Sequence, residues 1–286
     1  MALRALLNRE SDPAAKCFEQ VSQIMFPEHP YRFNTLGTPK TLVKVSANMI
    51  KNTHNKQLNS SNLLFTYCGD LPLAAVLENI REKLTSLKPR TLRPTPITIP
   101  TKIYGVQKHI PFDREQTQIF IGIPTFPLID NSNIILKLLT TYLSGQSSEL
   151  FVDVRDRKGL CYSVQPVHFR ALEAGYWGIY MASGHDKVQT AQEAILSLLQ
   201  RIQKNGLSSR EFLRIKRMIK GQEQINIQTN EDYANIYSIP VLHSLGIDWH
   251  YKILQDIDRL TYSQFKQGLK LILNQEWNIV TAGKKN

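Results

Sequence analysis

The chain has 286 residues, 42% of them hydrophobic and 21% charged, with a net charge of +11 and a pI near 9.5. That length and apolar content describe an ordinary globular protein with room for two moderate domains. No apolar run approaches the ~20 residues a membrane span needs, and MALRALLNRESD gains charge too soon for a signal peptide. Neither a membrane nor a targeting segment is therefore expected, and the compartment stays open.

In chain order, Ser11-Asp12-Pro13 caps an expected helix running to about Phe26, since a short acceptor side chain followed by proline starts helices. Thr38-Pro39 opens a short helix, and Ser46 caps another. Leu63–Cys68 reads as a strand. Residues 72–87 read as a helix with Leu73, Val76, Leu77, Ile80 and Leu84 on one face. Residues 88–101, with Pro89, Pro94, Pro96 and Pro100, are too proline-rich for a helix or central strand and read as a stiff linker. Strands are expected at about 102–107 and 115–123, and helices at about 131–144 and 147–157. A hairpin follows over about 161–170 and 175–183. Helices then fill about 186–204, 208–226, 231–245 and 261–273, before a last strand over 277–282.

The two sides of the linker share a pattern. Leu42, Val45, Ser46 and Ile50 lead to a strand ending at Gly69, and Ile257, Leu260, Thr261 and Phe265 lead to one ending at Gly283. Ser46 lies 23 residues before Gly69, and Thr261 lies 22 before Gly283. One unit used twice is expected. Its back portion would lie over residues 1–87, and a complete copy over 102–286.

Cys17, Cys68 and Cys161 are scattered and odd in number, which suits free thiols better than a disulfide framework. The basic residues are spread along the chain. Their densest clusters, 155–158 and 214–220, fall on expected helices and read as solvated surface. No RNA-binding signature, zinc finger or basic arm occurs, so nucleic acid is not the expected partner.

The most informative stretch is Ser147–Val164, SSELFVDVRDRKGLCYSV. Leu150, Phe151 and Val154 have helical spacing, a basic turn follows, and Gly159 is a helix stop. Arg155 should sit near a helix C-terminus and Tyr162 should open a strand. A guanidinium and a phenol held around one tight turn can converge on a carbonyl or oxyanion; an exposed charge and a half-buried ring is the plainer reading.

This stretch resembles the "LREKxGLxY" segment of the pitrilysin/insulinase-type zinc peptidases, the inverzincins. The resemblance extends along most of the chain, through FPEHPYRFNTLGT (26–38), NLLFTYCGD (62–70), EQTQIFIGIPTFPLIDN (115–131) and NGLSSREFLRIKRMIKGQ (205–222). It implies paired homologous α+β domains, with helices packed on mostly antiparallel sheets and the first domain incomplete here. It also implies a peptide or protein substrate. Arg155 would hold a substrate carbonyl and Tyr162 would donate to the oxyanion. Lys158 replaces the more usual Arg before Gly159, which still suits a helix-end cation.

The metal half of such a site is not expected in this chain. Neither H-E-x-x-H nor H-x-x-E-H occurs. In MFPEH, Met25 stands where a His would be and Pro27 breaks the required helix. The resemblance places a third ligand near Ala5 or Leu6, neither of which binds metal. Zinc would come from a missing front portion or a partner chain: a zinc-bearing homologous domain, in cis or in trans. The expected function is the substrate-binding, non-metal part of a zinc metalloendopeptidase, with this chain alone inactive. A non-catalytic scaffold or partner subunit of the same fold is the first alternative, and a basic nucleic-acid-binding protein the second.

Overall fold

The computed structural model describes residues 2–89 and 98–284. The proline-rich stretch expected as a linker falls largely on residues outside that range. Two compact units emerge, one from residues 1–39, 98–220 and 255–286, the other from 40–97 and 221–254.

The first unit begins with helices α1 (Ala2–Glu10) and α2 (Pro13–Met25). Asp12 caps α2 by accepting from the Ala14 amide at 2.9 Å, as the sequence predicts. In the other unit, α3 (Pro39–Leu42) is one short turn, followed by α4 (Ala47–Gln57) and α5 (Leu73–Leu84). Strands β1 (Gln107–Pro111) and β2 (Gln116–Pro124) return to the first unit, then helix α6 (Ser132–Leu143) and a π-helix, Leu150–Arg157. Strands β3 (Ser163–Arg170) and β4 (Gly175–Gly184) form the expected hairpin. Helices α7 (Val188–Asn205), α8 (Ser209–Asn226), α9 (Asn230–Leu242), α10 (Trp249–Arg259) and α11 (Tyr262–Ile272) lead to β5 (Asn278–Gly283).

Among the described residues the sheet has five strands in the order β1-β5-β2-β4-β3, and only the β1–β5 pair is parallel. This is the expected α+β class with a mostly antiparallel sheet. β2 is buried at every position after Gln116, so both of its faces are covered. On one face, Ile119, Ile121, Trp177, Ile179 and Met181 point away from α2, and α7 packs behind them. The buried Trp177 indole donates to Thr140 Oγ1 on α6 at 2.9 Å.

The other face carries α2. Cys17, Val21, Ile24 and Met25 recur at helical spacing and pack with Phe26 on Phe120, Tyr176, Val280 and Ala282. Phe18 meets the Phe120 ring edge-on at 6.0 Å and Tyr180 at 5.0 Å. The Phe120 ring covers the paired glycines Gly122 and Gly178; a Cβ on Gly122 would fall 2.4 Å from it, and one on Gly178 2.6 Å.

Residues 2–39 thus group with the sheet, whereas the sequence reading assigned them to a first domain over 1–87. The cause is the apolar stripe of α2, which is buried on β2 and β5. A strand over 63–68 does not form among the described residues. Leu63 is extended (φ −122°, ψ 133°), but an extended segment needs a ladder partner and none is present. The first sheet strand lies at 107–111 rather than 102–107, and α1 and α10 are helices the sequence reading omits.

The second unit has little core. Asn59 and Pro240 are its only buried side chains among the described residues. The apolar face expected on α5 buries no side chain fully, with Leu73 59% exposed and Val76, Ile80 and Leu84 partly buried, and Val43 and Ile50 are 71% and 63% exposed. The repeated caps are real: Ser46 Oγ accepts from the Met49 amide and Thr261 Oγ1 from the Gln264 amide, each opening an 11-residue helix.

Candidate functional site

Arg155 and Tyr162 flank one turn between the π-helix and β3. The chain leaves α6 through Gly145 (φ 87°), and Ser148 Oγ then accepts from the Phe151 amide at 3.2 Å. Leu150 and Val154 are buried and anchor the segment to the core.

The segment was expected as an α-helix, but it winds more widely. The Lys158 amide donates to Asp153 O, five residues back, at 3.3 Å. The Arg155 guanidinium lies over Phe151, four residues earlier, 4.6 Å from the ring centroid. Asp153 pairs instead with Arg157 at 3.0 Å. Tyr142 donates to Glu149 Oε2 at 2.8 Å, and Arg201 pairs with the same carboxylate, so the base of the π-helix is tied to α6 and α7.

The turn is made by Gly159, whose φ of +56° lies in the left-handed region. Its carbonyl accepts from Lys187 Nζ at 3.1 Å. Ser183 Oγ donates to Leu160 O at 2.6 Å, and the Tyr162 amide donates to Ala182 O at 2.8 Å, which docks the start of β3 on β4. Leu160 and Cys161 are buried, and Tyr162 turns outward, 63% exposed. Burial pushes the Cys161 thiol up to about 11, opposed by the nearby charge of Arg155.

Both candidate side chains are therefore exposed, one before and one after the braced turn. Among the described residues, the Tyr162 hydroxyl makes no hydrogen bond and the Arg155 guanidinium no ion pair. The sequence reading missed the supports. The Phe151–Arg155 spacing of four residues is a usable local signal, whereas Lys187 arrives only through the β3–β4 hairpin.

The other candidate groups have structural roles. His29 Nδ1 accepts from the Tyr31 amide at 3.2 Å and packs its ring on Tyr31 and Phe26. Among the described residues no group of three His, Cys, Asp or Glu side chains is placed to hold a metal ion. The described residues do not fit a resident zinc. Cys17 and Cys161 are buried free thiols and Cys68 is partly exposed. In the basic cluster at 214–220, Lys216 Nζ donates to Asp258 O and Leu260 O, and Lys220 pairs with Asp258 at 2.7 Å. Among the described residues, no helix is long and apolar enough to cross a membrane.

A mostly antiparallel sheet backed by helices defines an α+β domain, with Arg155 and Tyr162 exposed around its Gly159 turn. The family model described as "Peptidase M16 inactive domain" matches residues 44–219, more than half of the chain, and the chain belongs to that family. It is 24% identical over 233 residues to an uncharacterized zinc protease of Streptomyces coelicolor, covering 79% of this chain and 51% of that protein. An uncharacterized zinc protease of Rickettsia felis is 22% identical over 236 residues, with 80% of this chain and 56% of that protein covered. The chain thus spans about half the length of these curated relatives. Among solved structures, a Helicobacter pylori protease superposes with a TM-score of 0.87 at 18% identity, covering 99% of this chain and 70% of that one. A peptidase M16 inactive domain from Pseudomonas fluorescens gives 0.84 at 18% identity, covering 100% and 68%.

Proposed function

We propose that this chain is the substrate-binding part of a zinc metallopeptidase of the pitrilysin/insulinase type, acting on a peptide or protein. Arg155 holds the carbonyl of the bound substrate. Tyr162 donates its hydroxyl proton in a hydrogen bond to the oxygen that gains negative charge when that carbonyl is attacked. The metal is carried by a homologous domain, in cis or in trans.

The observation that carries this reading is the pair's setting. Two polar side chains stand open around a turn whose backbone is fixed by Ser183, Lys187 and the Ala182 carbonyl. A preorganised donor of this kind is worth ~3–4 kcal/mol to a transition state. The open apolar side chains on α4 and α5 support a further domain that covers them.

The test is complementation. The chain is titrated into a homologous zinc-bearing domain that carries H-x-x-E-H, and peptide cleavage and bound zinc are measured. Chelator-sensitive cleavage that requires both chains supports the reading. A stable complex with one zinc and no cleavage of any peptide supports the alternative, a non-catalytic partner subunit of the same fold.

A further inference from the structure

A cavity of about 340 Å³ opens at the end of β2, on the sheet face opposite α2. Lys102, Tyr104, Ile123, Phe126, Ile135 and Leu271 form most of its wall. Helices α6 and α11 meet beneath it, where Gly268 lets the Ile135 side chain lie close against α11: a Cβ there would fall 2.1 Å from Ile135 Cδ1, which would have to move. The segment that carries Lys102 is pinned by the fully buried Asn278. Its Oδ1 accepts from the Val106 amide at 2.9 Å, and its Nδ2 donates to Ile103 O at 2.7 Å.

Lys102 is the unusual member of this wall. Its ammonium lies 4.2 Å from the centroid of the Phe126 ring. Among the described residues it makes no hydrogen bond and no ion pair. Asp130 is the acid whose charge reaches it, but the Asp130 carboxylate accepts from the Ser132 amide at 2.8 Å and so serves the start of α6. Half-burial pushes the lysine below its usual pKa. A cation held against apolar surface without a paired anion is costly, and the ring face offsets only part of that cost. The polar atoms beside it, on Tyr104, Ser132 and Gln275, can orient a ligand but supply no counter-charge.

We propose that this cavity binds a carboxylate carried on a compact apolar or aromatic body, with Lys102 pairing the carboxylate and Phe126, Ile135 and Leu271 enclosing the body. Two sources share that chemistry: a free aryl or alkyl acid, and the C-terminal apolar residue of a peptide. The proposal is independent of the role of Arg155 and Tyr162, because it needs neither a metal nor a partner domain.

Calorimetry on the full chain tests it with N-acetyl-phenylalanine, N-acetyl-phenylalanine amide, 3-phenylpropionate, and the peptide Ala-Ala-Ala-Phe with a free or an amidated C-terminus. Each acid should bind about tenfold tighter than its amide, the size of one charge-assisted contact. Lys102→Met keeps most of the stem and should abolish that preference, leaving the amides within about twofold of their original affinity. Tighter binding by the free-terminus peptide than by 3-phenylpropionate assigns the site to peptide ends, and the reverse order assigns it to free acids. Equal affinity for acid and amide would overturn the proposal, as would a preference that survives in Lys102→Met. Absence of binding by every probe at ~10 mM, weaker than the weakest specific sites, would overturn it too.

Discussion

The guanidinium of Arg155 lies over the ring of Phe151 four residues earlier, 4.6 Å from its centroid. The i,i+4 spacing brings the two side chains together, and the contact aims a long, rotamer-rich side chain without spending its charge on an acid. If Arg155 clamps a substrate carbonyl, Phe151 is the residue that positions it. Phe151→Leu keeps apolar packing and removes the ring face. In the complemented enzyme it should raise KM by about three- to tenfold with kcat nearly unchanged, matching the ~1 kcal/mol of a partly exposed cation–π contact. Arg155→Ala should lower kcat/KM further, because a carbonyl clamp serves both the bound substrate and the transition state. Steady-state kinetics on the two variants checks both statements.

His168 is held neutral inside the β3–α6 contact. The Asn133 side chain donates to Pro127 O at 2.7 Å, so its oxygen faces His168 Nε2 at 3.3 Å and the ring donates from that nitrogen. Burial, with Arg170 and Lys137 nearby, lowers its pKa from 6.5 to about 3. Below pH 6.5 the unfolded chain takes up a proton that the folded chain does not, so stability is full above 6.5 and falls as pH drops toward 3. The slope should reach at most ~1.4 kcal/mol per pH unit. Urea unfolding across this range should show it, and His168→Gln, which can still donate to Asn133, should flatten it.

Gly178 sits opposite Gly122 beneath the Phe120 ring. A methyl group at 178 would meet Ile121 O at 2.4 Å and the ring at 2.6 Å, and neither the central strand nor the packed ring can move freely. Gly178→Ala should cost about 3 kcal/mol or more, seen as a lowered Tm, although alanine is ordinarily the mildest substitution for glycine.

Helix α2 should outlast a cut in the chain. Its stripe of Cys17, Val21, Ile24 and Met25 is buried on β2 and β5. Proteolysis between Lys88 and Thr101 should therefore leave the two pieces co-eluting on a sizing column, and separation should require denaturant. Phe26→Ala removes an aromatic that contacts Phe169 and Tyr176 and should cost about 3–5 kcal/mol.

Much of this was legible in the sequence. Asp12, Ser46 and Thr261 announce helix starts because a cap is a local bond between neighbours. The β3–β4 hairpin is legible because strands joined by a tight turn pair with each other. The turn carrying Arg155 and Tyr162 is legible because Gly159 and the basic turn before it are local signals. What was missed depends on distant partners. Residues 63–68 have strand composition but, among the described residues, no strand to pair with. The stripe on α2 says that the helix is buried and not on which sheet. The π winding of 150–157 is invisible in the spacing of Leu150 and Val154, which suits either helix. Lys102 carries no motif, and its setting arises only where α6, α11 and the end of β2 come together.

The central claim is that Tyr162 acts on developing charge, and Tyr162→Phe tests it most directly. The substitution removes one oxygen from a ring that is 63% exposed, so folding and Tm should not change. With the zinc-bearing domain restored, single-turnover cleavage should slow by about 10²–10³-fold while KM stays within about twofold, as expected for a donor that acts mainly in the transition state. A Tyr162→Phe protein that cleaves peptide at the rate of the unaltered chain would contradict the account.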